Sequence, residues 1–132
     1  MGIEDIPLMQ LIMKNGRPFE LSDDRTYASK FVQIIHEPSA TTYIYTNADW
    51  NSHQGVFNYF CARLTQIHGI SADEENNFKA KGGGGMLISL DGQLILFEGV
   101  SRRFGKYNKE LVQPVAERFR DQYFPNAKIE FK

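Results

Sequence analysis

A single cysteine, Cys61, leaves no partner for an internal disulfide, and this usage fits a reducing compartment. Charge of either sign is not in excess: 15 Lys and Arg stand against 16 Asp and Glu, a net charge of −1. Nothing in that balance advertises a nucleic acid or an acidic membrane surface, so neither partner is expected. No apolar run approaches the roughly 20 residues that span a bilayer. The opening residues carry Glu4 and Asp5 and no basic stretch, so they do not read as a secretory signal. Ile6 stands where a myristoylation signal carries Ser or Thr. A cytoplasmic protein is expected. Of the three histidines, His36 and His68 lie at no metal-ligand spacing from another His, Cys or acid, so both are expected to be structural or exposed. No metal and no cofactor is expected. Gly-Lys-Ser/Thr and Gly-x-Ser-x-Gly are both absent, which excludes a nucleotide-triphosphatase loop and a hydrolase nucleophile elbow.

What the chain does have is a run of four glycines, Gly82 to Gly85, preceded by Lys79 and Lys81 and followed by apolar Met86 to Ile88. Glycines lose more backbone entropy on folding than any other residue, so such a run suits a tight turn or a close backbone approach. It reads as a loop of bare N–H groups leading into a strand, either an anion cradle or a flexible connector, and the chain order suggests that it positions the following hairpin so that the Ser101–Gly105 loop meets the start of the His53 helix.

At 132 residues, 42% apolar and 23% charged, residues 1–132 form one soluble-type domain. Asn15-Gly16 between Leu8–Met13 and Pro18–Leu21 signals a hairpin, and Ser22 to Arg25 a polar turn. Lys30–His36 and Thr41–Thr46 are β-branched and aromatic and read as antiparallel neighbours. Ser52 is an N-cap for a helix carrying Val56, Phe57, Phe60, Cys61, Leu64 and Ile67, closed by Gly69. On that apolar face Cys61 reads as an inert thiol. Ser71 to Asn77 reads as an exposed, mobile acidic loop. Asp91-Gly92 joins Met86–Leu90 to Gln93–Glu98 in a second hairpin. A basic loop, Gly99 to Lys106, leads to a second helix capped by Asn108 or Gln113, whose regular part is expected to begin at Pro114. Ala127 to Phe131 is a last strand. The order implies α+β: a mostly antiparallel sheet of about six strands with two packed helices.

His53 follows the N-cap directly. Exposed N–H groups and the macrodipole make that position a ready anion site, with the imidazole beside it, although a first-turn histidine is commonly just a surface residue.

The second half of the chain carries a distinctive order: glycine run, strand, Asp-Gly turn, strand, Gly99-Val100-Ser101-Arg102-Arg103-Phe104-Gly105, helix, Tyr123-Phe124-Pro125, strand. With Lys30-Phe31-Val32 and Trp50-Asn51-Ser52-His53 before it, this resembles the Janus/Ocnus family, which includes the small phosphohistidine phosphatases. The resemblance covers about residues 27 to 132. It implies a phosphatase without metal, in which His53 acts as general base or transient phosphoryl acceptor. It also implies phosphate binding by the N–H groups of His53, Gln54, Ser101 and Arg103, by the Ser101 hydroxyl, and by the charge of Lys30. Two family arginines are missing. One is replaced by Gly85 or Met86 and the other falls near Tyr45; Arg102 and Arg103 are candidates to replace one of them from the opposite loop. The expected partner is a phosphorylated protein or a small anionic ligand. The alternative is a non-catalytic member acting as an anion- or protein-binding module. A third reading is a homodimer joined through a Thr41–Thr46 edge.

Overall fold

The computed structural model describes residues 3–12, 26–48, 51–89 and 93–132. Six strands form one sheet: β1 (Met9–Ile12), β2 (Thr26–His36), β3 (Thr41–Asn47), β4 (Phe78–Ser89), β5 (Leu94–Glu98) and β6 (Lys128–Phe131). Their spatial order is β1-β3-β2-β4-β5-β6. The three central pairings are antiparallel, while β1 and β6 join at the edges in parallel. The fold is α+β with a mostly antiparallel sheet.

The two long helices cover opposite faces. α1 (His53–Gln66) buries Val56, Phe60 and Leu64 against Val32, Ile34, Tyr43, Tyr45 and Phe78. α3 (Lys109–Tyr123) buries Val112, Val115 and Ala116 against Phe31, Met86, Ile88, Ile95 and Phe97. Each large apolar side chain so buried contributes about 1.5–3 kcal/mol. The strand alternation of β2 feeds both cores: Phe31 faces α3, and Val32 and Ile34 face α1.

Four expectations are corrected. The glycine run is not a loop before a strand; it lies inside β4, paired with β2 from Gly82↔Gln33 to Gly85↔Lys30. Ser71 to Asn77 is not a loop throughout: Ala72–Glu75 form a short helix, α2, with the Ser71 hydroxyl accepting from Glu74 N–H. α3 begins at Lys109, with Asn108 as cap, and carries Pro114 in its body at the cost of one backbone hydrogen bond. The Thr41–Thr46 strand is no edge, since β3 sits between β1 and β2. β1 takes β3, distant in sequence, as its described partner, whereas the Asn15-Gly16 turn and Pro18–Leu21 lie outside the described residues. Asp91-Gly92 lies outside them too, but the strands on either side, β4 and β5, are antiparallel neighbours as expected. No helix among the described residues is long and apolar enough to cross a membrane.

Candidate functional site

Ser52 caps α1 in extended geometry, its hydroxyl accepting from Gly55 N–H at 3.0 Å, and its carbonyl accepts from Val56 N–H. The first two helical N–H groups, of His53 and Gln54, have no partner among the described residues. They point out of the helix start, where the macrodipole favours an anion. The Gln54 side chain is turned away along the helix, bonding Asn58 at 2.8 Å.

The His53 ring lies over the glycine run. Its Nε2 is 2.9 Å from the carbonyl oxygen of Gly84. A carbonyl only accepts, so Nε2 donates, and in the neutral ring Nδ1 is left with the lone pair. A Cβ on Gly83 would stand 3.0 Å from His53 Cδ2 and 3.4 Å from Ser101 Cβ. The bare strand therefore lets both side chains settle onto it and converge.

The loop from Gly99 to Lys106 closes the site from the other side. Gly83 N–H donates to the Gly105 carbonyl and Ser101 N–H donates to the Gly83 carbonyl, each at 3.1 Å, and Gly105 turns back with a φ of 86°. A Cβ on Gly82 would meet the Lys106 carbonyl oxygen at 2.5 Å, and one on Gly84 would collide with the Glu98 carbonyl oxygen. Phe104 then packs edge-on against Phe57, one turn after His53, with ring centroids 5.8 Å apart. Three of the four glycines are thus close-approach residues, and the fourth, Gly85, is not.

Ser101 is buried, and its hydroxyl accepts from Phe104 N–H at 3.0 Å. Its own N–H is committed to Gly83 and Gly105. That backbone donor drops out of the expected set; the hydroxyl proton remains. The N–H groups of Arg102 and Arg103, at the exposed tip of the turn, make no hydrogen bond among the described residues. Neither guanidinium makes an ion pair there. Lys30 is opposite Gly85 in β2, two positions along the sheet from the Val32↔Gly83 pair. Strand alternation puts it on the His53 face, about 7 Å further along. Glu98, opposite Gly85 from the other side, shares that row and was not singled out from sequence. Tyr45 and Met86 are buried, so no cation stands in for the two missing arginines at those positions.

The other candidates separate from this site. His36 is buried in a network, Nε2 to Glu74 at 2.8 Å and Nδ1 to Ser39 at 2.7 Å, and its ring packs at a tilt against Phe78. The half-buried His68 is held below the usual histidine range by burial, and secondarily by the Arg63 charge. Burial pushes the Cys61 thiol up to about 12, with Glu75 adding to it, so it is no nucleophile. No group of three or more His, Cys, Asp or Glu among the described residues is arranged to hold a metal. The chain matches no family model, and no curated protein matches it in sequence.

Proposed function

We propose that the chain is a metal-independent phosphatase of the phosphohistidine type, working at the start of α1. The observation that carries this reading is the seating of His53: Nε2 donates to Gly84 O at 2.9 Å, which leaves Nδ1 as a fixed proton acceptor beside two uncommitted helix N–H groups. A phosphoryl group on those N–H groups has its oxygens in the field of a helix N-terminus. Arg102, Arg103 and Lys30 add charge from the two sides. Nδ1 of His53 takes a proton from water as the water oxygen bonds to phosphorus. The P–N bond breaks, phosphate forms, and the proton passes to the leaving imidazole. The chemistry needs little more than position and charge stabilisation, which these groups would supply.

A second reading, an anion-binding module without turnover, is favoured by two observations. The Ser101 N–H is spent inside the fold and no arginine replaces Tyr45 or Met86, so fewer donors remain than the family pattern provides. The two readings part in one assay. Phosphate release from a phosphohistidine peptide is expected from the wild-type chain and lost in His53→Ala, with the far-UV spectrum of both unchanged. Equal release by both proteins excludes His53. No release by either, with phosphate still raising Tm through mass action, selects the second reading.

A further inference from the structure

A second cluster of reactive side chains stands at the far end of β2, on the turn into β3. His36 closes β2 about 13 Å along the strand from Val32, the residue opposite Gly83. Its Nε2 is 2.8 Å from Oε1 of Glu74 on α2, and its Nδ1 is 2.7 Å from Oγ of Ser39. Ser39 Oγ is in turn 2.8 Å from Oγ1 of Thr41. The donors follow by elimination. A carboxylate only accepts, so Nε2 of the neutral ring donates to Glu74 and Nδ1 keeps the lone pair. Ser39 then donates to Nδ1, and Thr41 donates to Ser39. One chain of hydrogen bonds runs from Thr41 through Ser39 and His36 to Glu74, and every proton in it points towards the carboxylate.

Each member is held from outside the chain of bonds. The His36 ring is buried against Phe78, with centroids 4.7 Å apart. Asn77 Nδ2 donates to the other carboxylate oxygen of Glu74 at 3.3 Å. Asn77 O accepts from Glu37 N–H at 2.9 Å, which ties the end of α2 to the turn that bears Ser39. That turn closes through Ala40 N–H to Glu37 O at 3.3 Å, with Ala40 in the left-handed region at a φ of 58°. Such a backbone in a non-glycine residue persists only where its surroundings fix it. A histidine kept for structure alone needs both its partners inside the fold. Here the base is buried and the hydroxyl it accepts from is on an exposed residue. The Ser39 N–H beside that hydroxyl makes no hydrogen bond with another described residue.

We propose that Ser39, His36 and Glu74 form a second reactive centre, an acyl-transfer site that cleaves small carboxylic esters and works independently of His53. The three stand as nucleophile, general base and charged orienter, a set recognised by geometry and roles rather than by place in the chain. Ser39 Oγ bonds to the ester carbonyl carbon as its proton passes to Nδ1 of His36. The Glu74 carboxylate stabilises the imidazolium so formed, and the Ser39 N–H is the donor available to the developing oxyanion. The bond from the carbonyl carbon to the alcohol oxygen breaks, and the alcohol leaves with the proton from Nδ1. Water then attacks the acyl-Ser39 while losing a proton to Nδ1, the carboxylic acid departs, and Ser39 recovers its proton. Pro38 and Ala40, on either side of Ser39, are exposed, so the centre selects by the reactivity of the ester rather than by the length of its acyl chain.

The probe is an alkyl fluorophosphonate, which phosphonylates activated serines, with the labelled residue mapped by peptide mass spectrometry. Ser39 is expected to label about a hundredfold faster than the other serines, the share a positioned base supplies. Ser39→Ala, a change at an exposed residue, loses the label and the steady release of nitrophenol from p-nitrophenyl acetate. Glu74→Gln keeps an acceptor for Nε2 and removes the charge. Slowed labelling in that variant, partly restored in Glu74→Asp, marks Glu74 as a positioning residue rather than a tether for the turn. His36→Gln removes the base and the labelling with it; where that buried change unfolds the chain, the two Glu74 variants still decide. Labelling at Ser101 or spread evenly over the serines overturns the proposal. So does ester turnover that survives in Ser39→Ala, full labelling in Glu74→Gln, or Glu74→Asp no faster than Glu74→Gln.

Discussion

Replacing Gly83 by alanine puts a methyl group where the site has no room. The new Cβ would stand 2.5 Å from the carbonyl oxygen of Phe31, 3.0 Å from Cδ2 of His53 and 3.4 Å from Cβ of Ser101. The Phe31 oxygen belongs to β2, a strand held on both sides, so it does not yield cheaply. Overpacking of this kind costs about 1–3 kcal/mol. Removing a glycine from the unfolded chain returns about 0.4–1 kcal/mol. The net expectation is a loss of up to about 2.6 kcal/mol, with His53 and Ser101 forced apart. Gly85 is the control in the same strand. Its Cβ would meet nothing nearer than the Glu98 carbonyl oxygen at 3.9 Å. There the entropy gain stands alone, and Gly85→Ala is expected to be neutral or stabilising by up to about 1 kcal/mol. In a domain of this size 1 kcal/mol moves Tm by about 3–5 °C. Thermal unfolding of the two variants side by side gives the answer. Equal melting temperatures, or a greater loss at Gly85, refute the reasoning that Gly83 is a close-approach position and Gly85 is not.

Phe104→Ala removes the ring that docks the basic turn on Phe57. Phosphate affinity should fall several-fold by titration calorimetry while Tm drops only modestly, because Phe104 is half-buried; unchanged affinity would detach the turn from the site. Cys61 should alkylate slowly at pH 8, since its thiol is held up to about 12, against an ordinary 9.0. A raised folded-state pKa stabilises fully below pH 9 and loses that contribution as pH climbs towards 12. The urea midpoint of the wild-type chain should therefore fall faster over that window than that of Cys61→Ala, and parallel curves would contradict the assignment.

Local signals in the sequence located the elements whose reasons are local. Ser52 and Asn108 cap the helices their side chains were suited to cap. The β-branched and aromatic runs of β2 and β3 pair as neighbours. The elements that escaped are those decided elsewhere in the chain. β1 reads as half of a hairpin because Asn15-Gly16 follows it, whereas its parallel pairing with β3 is a long-range choice with no local mark. The glycine run lacks the side chains by which a strand is recognised. Its reason lies in a loop about twenty residues later that must cross it at backbone distance. α2 did leave a signal, since Ser71 and Glu74 stand at capping-box spacing, but the acidic composition masked it. At the site, His53, Ser101 and the two arginines were legible as types in order. The Gly84 carbonyl that orients the imidazole, and the loss of the Ser101 N–H to the sheet, are backbone events that no side-chain pattern encodes.

The proposed function requires the start of α1 and the Arg102–Arg103 turn to form one anion site over the glycine strand. A titration of the ¹⁵N-labelled chain with inorganic phosphate tests this directly. It should move the backbone amides of His53, Gln54, Arg102 and Arg103 together, with a single dissociation constant, and leave the committed amide of Ser101 nearly still. Shifts confined to one of the two segments, or spread over lysines remote from both, would contradict it.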